Sequence, residues 1–278
     1  MKPPAYIDIL QSPLSGVPLR WSGESLEVAA DEHFGVHGTT LLLHPDFPAP
    51  EPRELPGWLH RWMVERCYAG HNRSGRIQEA LQKVLAPLDA GGWGLNIGGG
   101  FTRLHERLIT LDIEPRDEVD ISADAHRLPL ADDSLEVVVS QEVFEHLSDP
   151  RAALSEAARV LRPGGHLYLQ VPFVIGYHPG PTDFWRFTKE GICAMTAEVG
   201  LEVIEQDIAV GTGTGMYRVA VEFGAAFGGL LPGRGPYLAA KGAAALLLHP
   251  LTWLDPLLDR SSARDRIPGG YYVIARKP

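Results

Sequence analysis

Several short groups of residues in the middle of this 278-residue chain are of types that handle a nucleoside. In GLNIGGGFT, Gly94 to Thr102, an apolar run meets three glycines, Gly98, Gly99 and Gly100. Glycine lets the backbone turn tightly and approach a ligand with no Cβ in the way. Asp112, followed by Ile113, closes the next apolar run, RLITLDIEP, where a carboxylate can hydrogen-bond both hydroxyls of a ribose. Asp124 and Ala125 come next in SADAHRLPL, and Ser140 and Gln141 close the apolar stretch of DDSLEVVVSQEVFEHLSDP. Further on, VPFVIGYHPGPTDFWRFTKEGI, Val171 to Ile192, gathers His178, Asp183, Trp185, Arg186 and Phe187. Such a loop can hold an acceptor and remove a proton from it.

The elements that must position these groups alternate in type. Leu135 to Ser140 has the continuous apolar character of a strand buried on both faces. A helix from about Ala152 to Leu161 ends at Arg-Pro-Gly-Gly, and HLYLQVPF supplies the following strand. Strand then helix, repeated, predicts a mostly parallel sheet with its ligand across the carboxyl ends of the strands. The glycine turn alone is weak evidence and does not fit GxGxxG, because Thr102 and Arg103 occupy the following positions.

The whole series, in this order and at this spacing, ends in RVLRPGG and resembles the class I S-adenosylmethionine-dependent methyltransferases. The resemblance covers roughly Gly94 to Phe173 and extends more loosely to the C-terminus. It implies a Rossmann-like α/β sheet, mostly parallel with the last strand antiparallel, and S-adenosylmethionine as cofactor. It places Gly98, Gly99 and Gly100 behind the methionine moiety, Asp112 and Ile113 at the ribose, Asp124 and Ala125 at the adenine, and Ser140 and Gln141 along the cofactor. Asn96 stands where the family usually has an acid, and Thr102 where it has another glycine. Asn96 can hydrogen-bond, but it lacks the charge that complements the cofactor's amino group.

Substrate chemistry is expected beyond the fifth strand. HPGPTDFWRFT resembles a subgroup of methyltransferase-like proteins of polysaccharide and natural-product biosynthesis. Phe184, Trp185 and Phe187 can stack on a ring, and Arg186 can grip a carboxylate or phosphate, or instead bridge to Asp183. Methyl transfer to an alcohol needs a base. His178 is the first candidate because imidazole titrates near neutral pH, Asp183 orients it or acts alone, and His146 in FEHL is the alternative.

Composition bounds the rest. With 25 basic and 35 acidic residues the net charge is -10, which argues against a nucleic-acid partner. Cys67 and Cys193 lie far apart, so neither a disulfide framework nor a metal site is expected, and a cytoplasmic location fits. No basic apolar leader opens the chain.

Residues 1–45 read as a small β unit. LQSPLSGVPL and HFGVHGTTLLL resemble the zinc-ribbon-like domain related to the methyltransferase activator Trm112, with Ser12 and Ser15 near positions where that family carries cysteine, which implies no zinc. The alternative is an ordinary β appendage that packs on the sheet. Residues 46–92 read as a proline-rich linker and two helices, the second capped by Ser74, with Trp58, Trp62 and Tyr68 facing ligand or core. Residues 93–278 form the methyltransferase domain.

Between the strands LEVIEQDIAV and GGYYVIARK, residues 211–268 form an apolar insertion whose longest uncharged run, Gly242 to Leu254, is too short to span a membrane. It reads as a lid over a lipid-like substrate, a surface against a membrane or a second subunit, or helices buried on the protein's own core. The expected activity is methyl transfer to a small or glycosylated metabolite, most plausibly at oxygen. The alternatives are a partner subunit that binds cofactor weakly, and a cofactor-bound catalyst such as a cyclase.

Overall fold

A computed structural model describes residues 4–22, 26–27, 32–37, 40–43, 74–99 and 103–278. Gly100, Thr102, the linker, Trp58, Trp62, Cys67 and Tyr68 lie outside the described residues. The strands are β1 (Arg20–Trp21), β2 (Leu26–Glu27), β3 (His33–His37), β4 (Thr40–Leu42), β5 (Gly94–Ile97), β6 (Leu108–Asp112), β7 (Ile121–Ser122), β8 (Leu135–Gln141), β9 (Leu161–Pro172), β10 (Glu202–Val210) and β11 (Gly270–Arg276). They form one sheet in the order β1-β2-β3-β4-β7-β6-β5-β8-β9-β11-β10. From β7 to β9 all pairings are parallel, while β11 runs antiparallel between β9 and β10. The chain moves outward from β5 to β6 and β7, then returns to place β8 on the other side of β5. That reversal opens a crevice at the carboxyl ends of β5 and β8, where open α/β sheets bind ligands.

Alternation along the strands fills both faces. Val137, Val139, Tyr168 and Tyr272 pack with Ile77, Leu81, Val84 and Leu88 of α1 (Gly75–Asp89). Val138, Leu167, Leu169 and Val273 face the other way, onto Leu154 and Ala157 of α2 (Pro150–Val160) and Ile192 and Met195 of α3 (Lys189–Glu198). Each such fully buried aliphatic side chain contributes roughly 1.5–3 kcal/mol relative to its exposed state. Ser74 Oγ accepts the Ile77 N–H at 3.3 Å and caps α1 as its position suggests. Asp149 caps α2 through the Arg151 and Ala152 N–H groups, and Pro150 occupies the first turn. The helix expected to reach Leu161 stops at Val160, and the strand begins at once, with Gly164 at φ +82°.

The N-terminal strands continue the sheet rather than lying across it. Leu41 and Leu42 of β4 pair in parallel with Ile121 and Ser122 of β7, so the edge of β7 is satisfied by the chain's own backbone. At the positions compared with zinc-binding cysteines, the hydroxyls of Ser12 and Ser15 both donate to Glu32.

The apolar insertion is a helical hairpin, α4 (Thr212–Gly228) and α5 (Arg234–Leu248), followed by short helical turns that include α6 (Asp255–Leu258). The helices approach closely at small residues: a Cβ on Gly224 would stand 2.8 Å from the Cβ of Ala244. Burial in the protein's own core describes α4 only in part and α5 not at all, since no residue of α5 is buried. Phe223, Phe227, Leu246, Leu247 and Trp253 are exposed, Leu246 at 82%. No described helix is long and apolar enough to cross a membrane.

Candidate active site

The crevice begins under the glycine turn. Gly98 follows β5 at φ +72°, a conformation that favours glycine, and a Cβ there would come within 2.2 Å of Val143. A Cβ on Gly99 would fall 2.0 Å from Nδ2 of Asn96. Asn96 is therefore buried beneath the turn and supports it from behind.

Asp112 ends β6 with its side chain mostly covered. Its Oδ1 accepts the Glu114 N–H at 3.1 Å, and Oδ2 lies 3.9 Å from Arg116. Burial pushes the carboxyl up from its ordinary pKa, with Arg116 working in the opposite direction. Asp124 has Oδ1 against the ring and backbone nitrogens of His126, at 2.6 and 2.9 Å. Ala125 is buried beside it, and Ile113 turns its carbonyl to the Ser122 hydroxyl at 2.8 Å.

At the end of β8, Ser140 is buried with its Oγ unpartnered, while Gln141 donates to the buried Gln170 at 3.2 Å. Glu142, next in the chain, holds φ +54°, a strained conformation for a residue with a Cβ, at the mouth of the crevice. A glycine-lined turn, a carboxylate at the tip of β6 and an unpartnered hydroxyl at the tip of β8 fit a nucleoside linked to an amino acid. In open α/β sheets such groups bind in the crevice outside the carboxyl ends of the strands.

The loop after β9 folds back over this opening. Phe184 and Trp185 donate their N–H groups to the carbonyl of Glu145, at 2.7 and 3.2 Å, and Trp185 Nε1 donates to the Leu147 carbonyl at 2.9 Å. Asp183 and Arg186 form a two-pronged pair at 2.5 and 2.7 Å, which holds the Asp183 carboxyl down to about 2. Arg186 also donates to the carbonyls of Trp185 and Gly176. Its guanidinium thus staples the loop, and of the two roles the sequence allows, the bridge to Asp183 is the one formed here. Asp183 in turn accepts the backbone N–H of His178 at 2.9 Å. Phe187 does not stack on a ligand: at 8% exposure it belongs to the core, because the chain turns inward there to begin α3. The exposed aromatics of the loop are Tyr177, at 72%, Phe184, at 53%, and Trp185.

His178 and His146 meet over a residue that sequence reasoning passed by. Glu145, in the helical turn Phe144–His146, is completely buried, and neither carboxylate oxygen makes a hydrogen bond. Its Oε1 lies 3.4 Å from Nε2 of His178 and 3.7 Å from Nε2 of His146, and the two rings pack edge to face at 5.0 Å. Burial pushes the Glu145 carboxyl up, opposed by His178. For His178, burial disfavours the charged ring, but the facing Glu145 and nearby Asp183 outweigh it and raise its pKa above the ordinary histidine value. The only available signal was the acid next to His146 in FEHL. Its convergence with His178 depends on the fold-back of a distant loop.

Residues 97–169 match the family model described as a methyltransferase domain. The chain is 29% identical over 199 residues to a probable S-adenosylmethionine-dependent methyltransferase of Mycolicibacterium smegmatis, covering 64% of this chain and 74% of that protein. Over 66 residues it is 46% identical to a probable S-adenosylmethionine-dependent methyltransferase of Mycobacterium tuberculosis, 24% of each chain. Over 98 residues it is 30% identical to the ubiquinone biosynthesis O-methyltransferase of Parvibaculum lavamentivorans, covering 29% of this chain and 39% of that protein. The chain spans well under two thirds of the length of these last two relatives.

Proposed function

We propose that this chain, which carries a class I S-adenosylmethionine-dependent methyltransferase domain, methylates an oxygen of a small or glycosylated metabolite in natural-product or saccharide biosynthesis. In this reading residues 93–278 are the catalytic domain. Asn96 supports the turn at Gly98 and Gly99, which with Gly100 backs the methionine moiety, Asp112 and Ile113 meet the ribose, Asp124 and Ala125 the adenine, and Ser140 and Gln141 line the remainder. The cofactor, when bound, supplies an electrophilic methyl group.

The residues of the chain do the rest by position. A hydroxyl is a poor nucleophile until its proton is removed, and a positioned base contributes typically 10²–10⁴-fold. His178 stands at the cleft with Glu145 behind it to stabilise the imidazolium that forms. Asp183, fixed by Arg186, holds the His178 backbone in place. His146 buttresses the pair: its Nδ1 reaches the Thr182 carbonyl at 2.5 Å, and the Thr182 hydroxyl returns to the His146 carbonyl at 3.3 Å. Phe184 and Trp185 offer exposed ring faces to an acceptor.

The observation that carries this reading is the convergence of His178, His146 and buried Glu145 just beyond the proposed cofactor crevice. Oxygen as acceptor is supported by that base, and a named relative, the ubiquinone biosynthesis O-methyltransferase, also methylates oxygen. The test is mass spectrometry of metabolites from cells with and without the gene. The expected result is a product heavier by one methyl group, with one S-adenosylhomocysteine released per turnover. Turnover without S-adenosylhomocysteine would make the protein a cyclase or another rearrangement catalyst.

A further inference from the structure

An ionised carboxylate sealed from water without a hydrogen bond is costly unless a cation compensates it. The Glu145 carboxyl is buried with neither oxygen hydrogen-bonded, and what faces it is a pair of imidazole nitrogens. The partners of the two rings assign their protons. In His146, Nδ1 lies 2.5 Å from the Thr182 carbonyl, so Nδ1 carries the hydrogen and Nε2 a lone pair. In His178, Nδ1 lies 3.2 Å from the Gly176 carbonyl and 3.4 Å from Asp183 Oδ2, which leaves its Nε2 in the same condition in the neutral ring. Three electron-pair donors then point at one small volume, all within 4.8 Å of one another. A ring nitrogen bonded to a backbone carbonyl, with the opposite nitrogen turned inward, is how metal-binding histidines are held.

We propose that Glu145, His146 and His178 form a binding site for one divalent transition-metal ion. Bonds of about 2.0–2.2 Å to nitrogen and oxygen set neighbouring ligand atoms about 3.0–3.5 Å apart. The carboxylate-to-imidazole separations of 3.4 and 3.7 Å approach this spacing, and all three donor atoms lie within 4.8 Å of one another. Two imidazoles and one carboxylate suit Zn²⁺, Co²⁺, Mn²⁺ or Fe²⁺, whereas Mg²⁺ and Ca²⁺ favour all-oxygen sets. Three protein ligands leave positions open for an oxygen from the acceptor. That use of the ion rests on the methyl-transfer reading, but its binding does not. On His178, ion and proton are alternatives, so the imidazole that serves as base in the metal-free protein becomes a ligand when the ion binds.

The experiment titrates Co²⁺ into the full, chelator-treated chain and follows visible absorption and calorimetric heat, with S-adenosylhomocysteine binding measured on the same samples. The expected result is one Co²⁺ per chain, displaced by Zn²⁺, with affinity at least tenfold weaker in both Glu145→Gln and His178→Ala. Should either variant unfold, His146→Gln supplies the same comparison. No saturable Co²⁺ binding, or unchanged binding in folded variants, would overturn the metal site and leave the methyltransferase reading standing. Ligand-dependent Co²⁺ binding with no affinity for S-adenosylhomocysteine would do the reverse.

Discussion

Nε2 of His178 faces Oε1 of Glu145 across 3.4 Å, and that carboxylate is completely buried. The pair joins a loop after the fifth parallel strand to a helical turn after the fourth. Replacing the imidazole therefore removes the proposed base without touching the cofactor crevice. His178→Ala is expected to lower kcat by roughly 10²–10⁴ while S-adenosylhomocysteine affinity stays within a factor of two or so. Equal turnover in the variant would remove His178 from the mechanism.

The proposed ribose contact of Asp112 sets cofactor affinity against stability. Burial raises its pKa in the folded protein, so its contribution to stability is present below the ordinary carboxylate pKa. That contribution is lost as pH rises through the raised folded value, and the ionised carboxylate therefore costs stability at neutral pH. Asp112→Asn is expected to unfold at the same temperature or higher at pH 7. It should bind S-adenosylhomocysteine about 10–100-fold more weakly, because hydrogen bonds to a charged acceptor are worth about 1.5–3 kcal/mol. In the native protein, affinity should fall as pH drops through the raised Asp112 pKa. Calorimetry at a series of pH values checks both expectations, and a flat profile counts against the ribose assignment.

The Asp183–Arg186 fork fixes the shape of the loop. Arg186→Lys keeps the charge but cannot reproduce two parallel bonds to Asp183 together with bonds to the carbonyls of Trp185 and Gly176. A fall in kcat with cofactor affinity retained is expected. In a double-mutant cycle with Asp183→Asn, the losses should be strongly non-additive. Simple additivity would mean that the two residues act separately.

Asp255 caps a helix from a distance. Its Oδ1 accepts the N–H of Gly213 at 2.6 Å and of Thr214 at 3.2 Å, and its Oδ2 accepts the Thr214 hydroxyl at 2.5 Å. Asp255→Ala leaves the first turn of α4 without these acceptors and should cost about 1–2 kcal/mol. Thermal unfolding would then shift down by roughly 2–4 °C per kcal/mol. An unchanged midpoint would mean that the hairpin contributes nothing to global stability.

The crevice was legible in the sequence because it is built from local features. A glycine at positive φ, an acid at a strand tip and apolar runs of strand length are written in adjacent residues, and the order of the strands follows from right-handed crossovers. The loop was only partly legible. Its density of chemical groups marked it, but the fate of each side chain depends on distant contacts. Arg186 is consumed by Asp183, Phe187 turns into the core against α3, and Glu145 comes to face His178 through the fold-back of a loop whose Phe184 and Trp185 bond its carbonyl. The pairing of β4 with β7 was likewise hidden, since no local pattern tells a strand which edge to join.

Whether this chain binds S-adenosylmethionine and spends its methyl group is decided by calorimetric titration of S-adenosylhomocysteine into the purified protein. One saturable site per chain is expected, weakened by Asp112→Asn and unaffected by His178→Ala. A folded protein that takes up neither S-adenosylhomocysteine nor S-adenosylmethionine at millimolar concentration would contradict it.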